Sequence, residues 1–144
     1  MFADQPGGAM DHEAMFVRTE RLPHSPRWPM TVRVHTSVGS AVVLWCGDPR
    51  EADGHHLVEW TVDEDLHWGR NTLPAAAGPE LRQDGGRVLM TGRLRLAEEG
   101  AACLRLGPWP VLFDLAAPVP GGVDGAWVRI SAASQDVALH PYRI

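Results

Sequence analysis

The chain has 144 residues, 44% of them hydrophobic and 22% charged, a size and balance that suit one globular domain stable without a disulfide or structural metal. All 13 basic side chains are arginine; with no lysine, Schiff-base chemistry, pyridoxal phosphate attachment and P-loop phosphate binding are excluded. The net charge of −5 weighs against a general nucleic-acid binder, and no apolar run approaches the roughly 20 residues of a membrane helix.

Residues 1–27 read as a poorly ordered leader. Gln5-Pro6-Gly7-Gly8 and Leu22-Pro23-His24-Ser25-Pro26 interrupt it twice. Between them, Asp11 as N-cap and Met15, Phe16 and Leu22 as a thin apolar stripe predict a short helix over Asp11–Leu22. The leader lacks a basic stretch followed by an apolar one, so a cytoplasmic location is the expectation.

A single β-rich domain is expected over residues 28–144. Val32, Val34, Thr36 and Val38 alternate with Arg33, His35 and Ser37, and Gly39-Ser40 turns the chain into the β-branched run Ala41–Trp45. His56, Val58, Trp60 and Val62 alternate with Leu57, Glu59 and Thr61 in a further strand. From Asp63 to Pro79 the pattern is irregular, and Asn71-Thr72-Leu73-Pro74 with three alanines reads as a short helix or a crossover.

The clearest signal spans Arg87–Leu106. Val88, Met90, Leu94 and Leu96 share one face; Ala102, Leu104 and Leu106 share the matching face beyond Glu98-Glu99-Gly100. A three-residue loop ending in glycine, where positive φ is needed, sets Leu94 opposite Leu104 and Arg93 opposite Arg105. Trp109, Val111, Phe113 and Leu115 then share a face, Ala126, Val128 and Ile130 another, and Val137 and Leu139 close the chain. About eight short strands at regular spacing predict an all-β fold: a small antiparallel Greek-key, OB-like barrel or a sandwich, with at most one or two short helices. Cys46 and Cys103 lie in apolar strand contexts and read as structural thiols, with a cross-strand bridge as the alternative.

Four constellations bear on function. The register above places Arg93 against Arg105, with Arg95 and Arg87 on the same side; like charges facing each other on a sheet are destabilising and attract an anion, a carboxylate or a phosphate backbone. The competing reading is a solvated face whose charge is offset by Glu98, Asp114 or other carboxylates nearby. Trp127 alternates with buried neighbours and is expected to stand outward beside these arginines, placed for base stacking or as an interface anchor. Trp60 and Trp68 flank the acidic turn Asp63-Glu64-Asp65 and are further interface candidates in a chain with six tryptophans.

His55, His56 and Glu59 are weak metal-ligand candidates, because on a strand His55 and Glu59 share a face and His56 lies on the other. Serines 37, 40, 131 and 134 sit in no Gly-x-Ser-x-Gly elbow. These features imply no cofactor and no membrane. They point to a non-catalytic β-rich module that engages a protein partner through arginines and aromatics, as an accessory subunit or an immunity-type inhibitor. The alternative is an OB-type single-stranded nucleic-acid binder using the arginine face, and a metal-dependent enzyme is the third reading.

Overall fold

Alternation of inward apolar and outward polar side chains organises the computed structural model, which describes residues 15–142. Its strands are β1 (Met15–Arg21), β2 (Thr31–Thr36), β3 (Gly39–Trp45), β4 (Gly54–Val62), β5 (Thr72–Pro74), β6 (Glu80–Asp84), β7 (Arg87–Leu96), β8 (Ala101–Leu106), β9 (Trp109–Asp114), β10 (Trp127–Ala133) and β11 (Val137–Pro141). Among the described residues, helix is confined to single 3-10 turns at Pro49–Glu51, Glu98–Gly100 and Ser134–Asp136. The fold is mainly β, as the sequence pattern implies. None of the described helices is long and apolar enough to cross a membrane.

Five strands close a barrel in the order β11-β4-β1-β2-β3, with β11 returning to β3 as a parallel neighbour. Inward-facing Val32, Val34, Ala41, Val43, Trp45, Val58, Val137 and Leu139 fill it. Each valine or leucine among them contributes about 1.5–3 kcal/mol by leaving water.

The first barrel strand overturns an expectation. Over Met15–Arg21 a strand replaces the predicted helix, pairing antiparallel with both β2 and β4. Residues 15–27, expected in a poorly ordered leader, therefore belong to the domain; residues 1–14 lie outside the described residues. The physical reason is closure, since without β1 the edges of β2 and β4 would stand unpaired. Met15, Val17 and Thr19 face inward and Phe16, Arg18 and Glu20 outward. The threonine disguised the period: its buried hydroxyl donates to the Ala52 carbonyl at 2.7 Å. The Pro-rich stretch is the β1–β2 loop, held by Thr31 N donating to Ser25 Oγ at 2.8 Å.

The remaining strands form an outer sheet inserted between β4 and β11. The long strand β7 is its spine: β10 lies along one edge, and β6 and then β8 share the other. The predicted hairpin forms in the predicted register, with Leu94 opposite Leu104 and Arg93 opposite Arg105. Glu99 and Gly100 take positive φ of 65° and 77° in its loop. Two glycines make close crossings possible. A Cβ on Gly39 would lie 1.9 Å from the Leu81 carbonyl oxygen, where β3 meets β6, and one on Gly92 would lie 2.2 Å from that of Arg105, where β7 changes partner. Leu81, Val88, Met90, Leu94, Leu104, Phe113 and Ile130 join the barrel residues in one hydrophobic core.

The region between β4 and β7 is extended rather than helical, supplying the short edge strand β5 and then β6. Neither thiol lies in the core, and Cys46 and Cys103 form no disulfide. Cys46 falls one residue past β3 and is exposed, while Cys103 points to the outer face of β8 and is half-buried.

Candidate binding face

Period-two alternation dictates what the outer sheet shows to solvent. Because Leu94 and Leu104 point into the core, Arg93, Arg95 and Arg105 must point out. One cross-strand row reads Trp127, Arg93, Arg105, Pro110 over β10, β7, β8 and β9. The next reads Arg95, Cys103, Leu112. At strand spacing the four-strand row is about 14 Å wide. The Arg93 guanidinium lies 5.7 Å from the centre of the Trp127 ring, a cation–π contact worth about 0.5–1 kcal/mol at an exposed site. Arg105 donates to the Pro108 carbonyl at 2.9 Å.

Three further contributors were not singled out by the sequence. Arg129 lies on the same outward set of β10 as Trp127, paired with Thr91 on one side and Leu73 on the other. The signal was present in Trp127-Val128-Arg129-Ile130, whose alternation turns Trp127 and Arg129 the same way. Leu112 stands 69% exposed between the inward-facing Val111 and Phe113, so its outward position was equally legible. Leu73 is exposed at the β5 edge.

Among the described residues, no ion pair offsets the charge on this face. Among the described residues, the ion pairs join His35 to Glu20, Arg50 to Asp48, Arg82 to Glu80 and Arg87 to Glu64. None involves Arg93, Arg95, Arg105 or Arg129.

Other predicted site residues lie elsewhere. Arg87 shares the outward set of β7 but sits six residues before Arg93, about 20 Å along the strand. Its Nε donates to Ser131 Oγ at 2.6 Å and its Nη2 to the Ser131 carbonyl at 2.9 Å. It braces the sheet and lies apart from the candidate face. Trp60 is a correction: it is only 6% exposed, on the inward set of β4, and its Nε1 meets no hydrogen-bond partner among the described residues. Trp68 is half-buried and packs against the core. The most exposed of the described tryptophans is Trp28, at 77%, in the β1–β2 loop.

The three metal candidates do not converge. His55 points outward and stacks on Phe16, with ring centres 6.0 Å apart. His56 lies against Trp45, and its Nε2 is 2.7 Å from the Glu51 carbonyl. Glu59 is exposed further along β4. Among the described residues no group of three or more histidines, cysteines and carboxylates is placed to hold a metal.

A histidine does meet carboxylates in a cleft of 410 Å³ lined by Glu64, Asp65, His67, Arg70, Asn71 and Arg87. Several of these groups are engaged in holding the backbone. Asn71 Oδ1 accepts from His67 N and its Nδ2 donates to the Asp65 carbonyl, each at 2.8 Å. Glu64 Oε2 accepts from Ala133 N at 2.8 Å.

No protein-family model, curated protein or solved structure matches this chain.

Proposed function

We propose that this chain is a non-catalytic binding module whose outer sheet docks an acidic protein partner, in the manner of an accessory subunit or an inhibitor. One observation carries the reading: Arg93, Arg95, Arg105 and Arg129 share a sheet face with Trp127, and none forms an ion pair among the described residues. A partner's carboxylates would relieve the Arg93–Arg105 repulsion through charge-assisted hydrogen bonds. Trp127, Leu112 and Leu73 supply the apolar contact around these charges. Arginine and tryptophan are the side chains that most often dominate protein interfaces.

Single-stranded nucleic acid is the second reading, and two features weigh against it. An OB-like barrel binds its ligand on its second and third strands and the adjoining loops, whereas these arginines lie on the strands inserted between β4 and β11. On the barrel, His35 of β2 is instead paired with Glu20 at 2.7 Å. Stacking of successive bases also calls for repeated aromatic platforms, and this face carries the single half-buried Trp127.

The test is fluorescence anisotropy with two labelled probes, an Asp/Glu-rich peptide containing leucines and an oligothymidine strand. Saturable peptide binding that weakens with salt and is lost in Arg93→Glu and Arg105→Glu is the expected result. Tight, salt-sensitive binding of the oligothymidine would reverse the assignment.

A further inference from the structure

The connection from β5 to β6 builds a cleft on the outer sheet. β5 pairs with β10 and β6 with β7, so residues 75–79 must cross both β10 and β7. Three strand spacings make that crossing about 14 Å wide, and the six steps from Pro74 to Glu80 reach about 20 Å. The difference lets the strap arch. Its sequence, Ala75-Ala76-Ala77-Gly78-Pro79, carries no long side chain to fill the space beneath it. What remains between strap and sheet is a cleft of 720 Å³.

Three donors line this cleft. Arg129 and Thr91 are register partners on β10 and β7, which sets their Cβ atoms about 4.5–5.5 Å apart. Thr91 is only 6% exposed, yet its hydroxyl makes no hydrogen bond among the described residues. The Arg129 guanidinium has neither an ion pair nor a hydrogen bond among them. Ser37, between β2 and β3, adds a second hydroxyl in the same condition. Glu80 also lines the cleft, and its carboxylate lies 3.8 Å from Arg82 on its own strand.

That donor set selects a ligand chemistry. A guanidinium donates in parallel to both oxygens of a carboxylate, whose remaining lone pairs accept from hydroxyls. A second negative charge on the ligand would meet Glu80, and Arg129 is the one cation among the described residues that line the cleft. Val38 and the three alanines of the strap offer apolar walls to a short aliphatic body. A buried hydroxyl without a partner weakens the fold, and a bound carboxylate supplies the acceptor Thr91 lacks.

We propose that this cleft binds a monocarboxylate with a short apolar body, gripped by Arg129, Thr91 and Ser37 beneath the Ala75–Pro79 strap. A free aliphatic acid and the last residue of a polypeptide both present that chemistry. The site is separate from the docking of an acidic partner on Arg93, Arg95 and Arg105; Arg129 is the residue the two have in common.

The experiment is amide NMR of the full chain titrated with N-acetyl-leucine, with its amide N-acetyl-leucinamide, and with 4-methylpentanoate. N-acetyl-leucine should bind saturably with about millimolar affinity, as suits a ligand of about a dozen non-hydrogen atoms. The shifts should centre on residues 75–80, Thr91 and Arg129, and the uncharged amide should bind at least about tenfold more weakly. Arg129→Gln, at an exposed position, should lose this binding, and the isosteric Thr91→Val should weaken it. Absence of saturable shifts at these residues, equal binding of the amide, or full binding by Arg129→Gln overturns the site. Tighter binding of N-acetyl-leucine than of 4-methylpentanoate assigns the carboxylate to a chain end, and the opposite order assigns it to a free acid; either order supports the site. The acidic peptide probe is titrated in parallel. Peptide binding without N-acetyl-leucine binding overturns the cleft alone, and the converse overturns the docking face alone.

Discussion

Replacing Gly92 by alanine tests the geometry that creates the arginine face. Gly92 is not among the positive-φ glycines of the chain, so alanine can adopt its backbone conformation. Were space available, the smaller entropy of the unfolded alanine chain would stabilise the fold by about 0.4–1 kcal/mol. Space is not available. The added Cβ would lie 2.2 Å from the Arg105 carbonyl oxygen and 3.2 Å from Leu104 Cγ, where ordinary contact begins near 3.4 Å. The β8 backbone must retreat by about 1 Å, which pulls apart hydrogen bonds beside the Arg93–Arg105 pair and unseats Leu104. Overpacking of this kind costs about 1–3 kcal/mol, and lost ladder bonds place this site at the upper end, about 2–3 kcal/mol. For a chain of this size the melting temperature should fall by about 4–12 °C. Thermal unfolding followed by circular dichroism reads the shift, and hydrogen exchange should show faster opening at residues 93–96 and 102–105. An unchanged or higher melting temperature would refute the close crossing, because the entropic effect alone has the opposite sign.

Thr19→Val keeps the shape of the side chain but leaves the Ala52 carbonyl without its donor; denaturant titration should show a loss of about 1–3 kcal/mol. Leu94→Ala, at a fully buried position, should cost about 2–5 kcal/mol in the same assay. Removing residues 1–21 takes away β1 and should abolish cooperative unfolding, since β2 and β4 lose the strand between them. Arg93→Glu and Trp127→Ala should instead leave stability within about 1 kcal/mol while eliminating binding of the acidic peptide probe.

Much of this organisation is written in local alternation. The hairpin register, the inward set on β9 and the outward placement of Arg93, Arg95, Arg105 and Trp127 all follow from a side-chain period of two. Such a period needs no knowledge of the partner strand, because one face must be buried whatever lies opposite. The same rule contained Arg129 and Leu112 without drawing notice to them. Position along a strand was harder to use: Arg87 shares the parity of Arg93, yet Ser131 and Glu64 hold it at the far end of β7.

What tertiary structure alone decided has a different physical origin. Met15–Arg21 carries both a weak helical stripe and a strand alternation, and two waiting edges select the strand. Trp60 and Trp127 both alternate along strands. One is buried because β4 lines a closed barrel, and the other is half-exposed because it stands on the outer face of β10 beside Arg93. The bonds from Asp63 N to the Asp136 carbonyl and from Ala133 N to Glu64 join residues far apart in sequence through two crossings that exist only once barrel and sheet have formed. Local pattern determines which face of a strand is apolar; it carries no information about which strands close on one another, and that closure brings distant charges together.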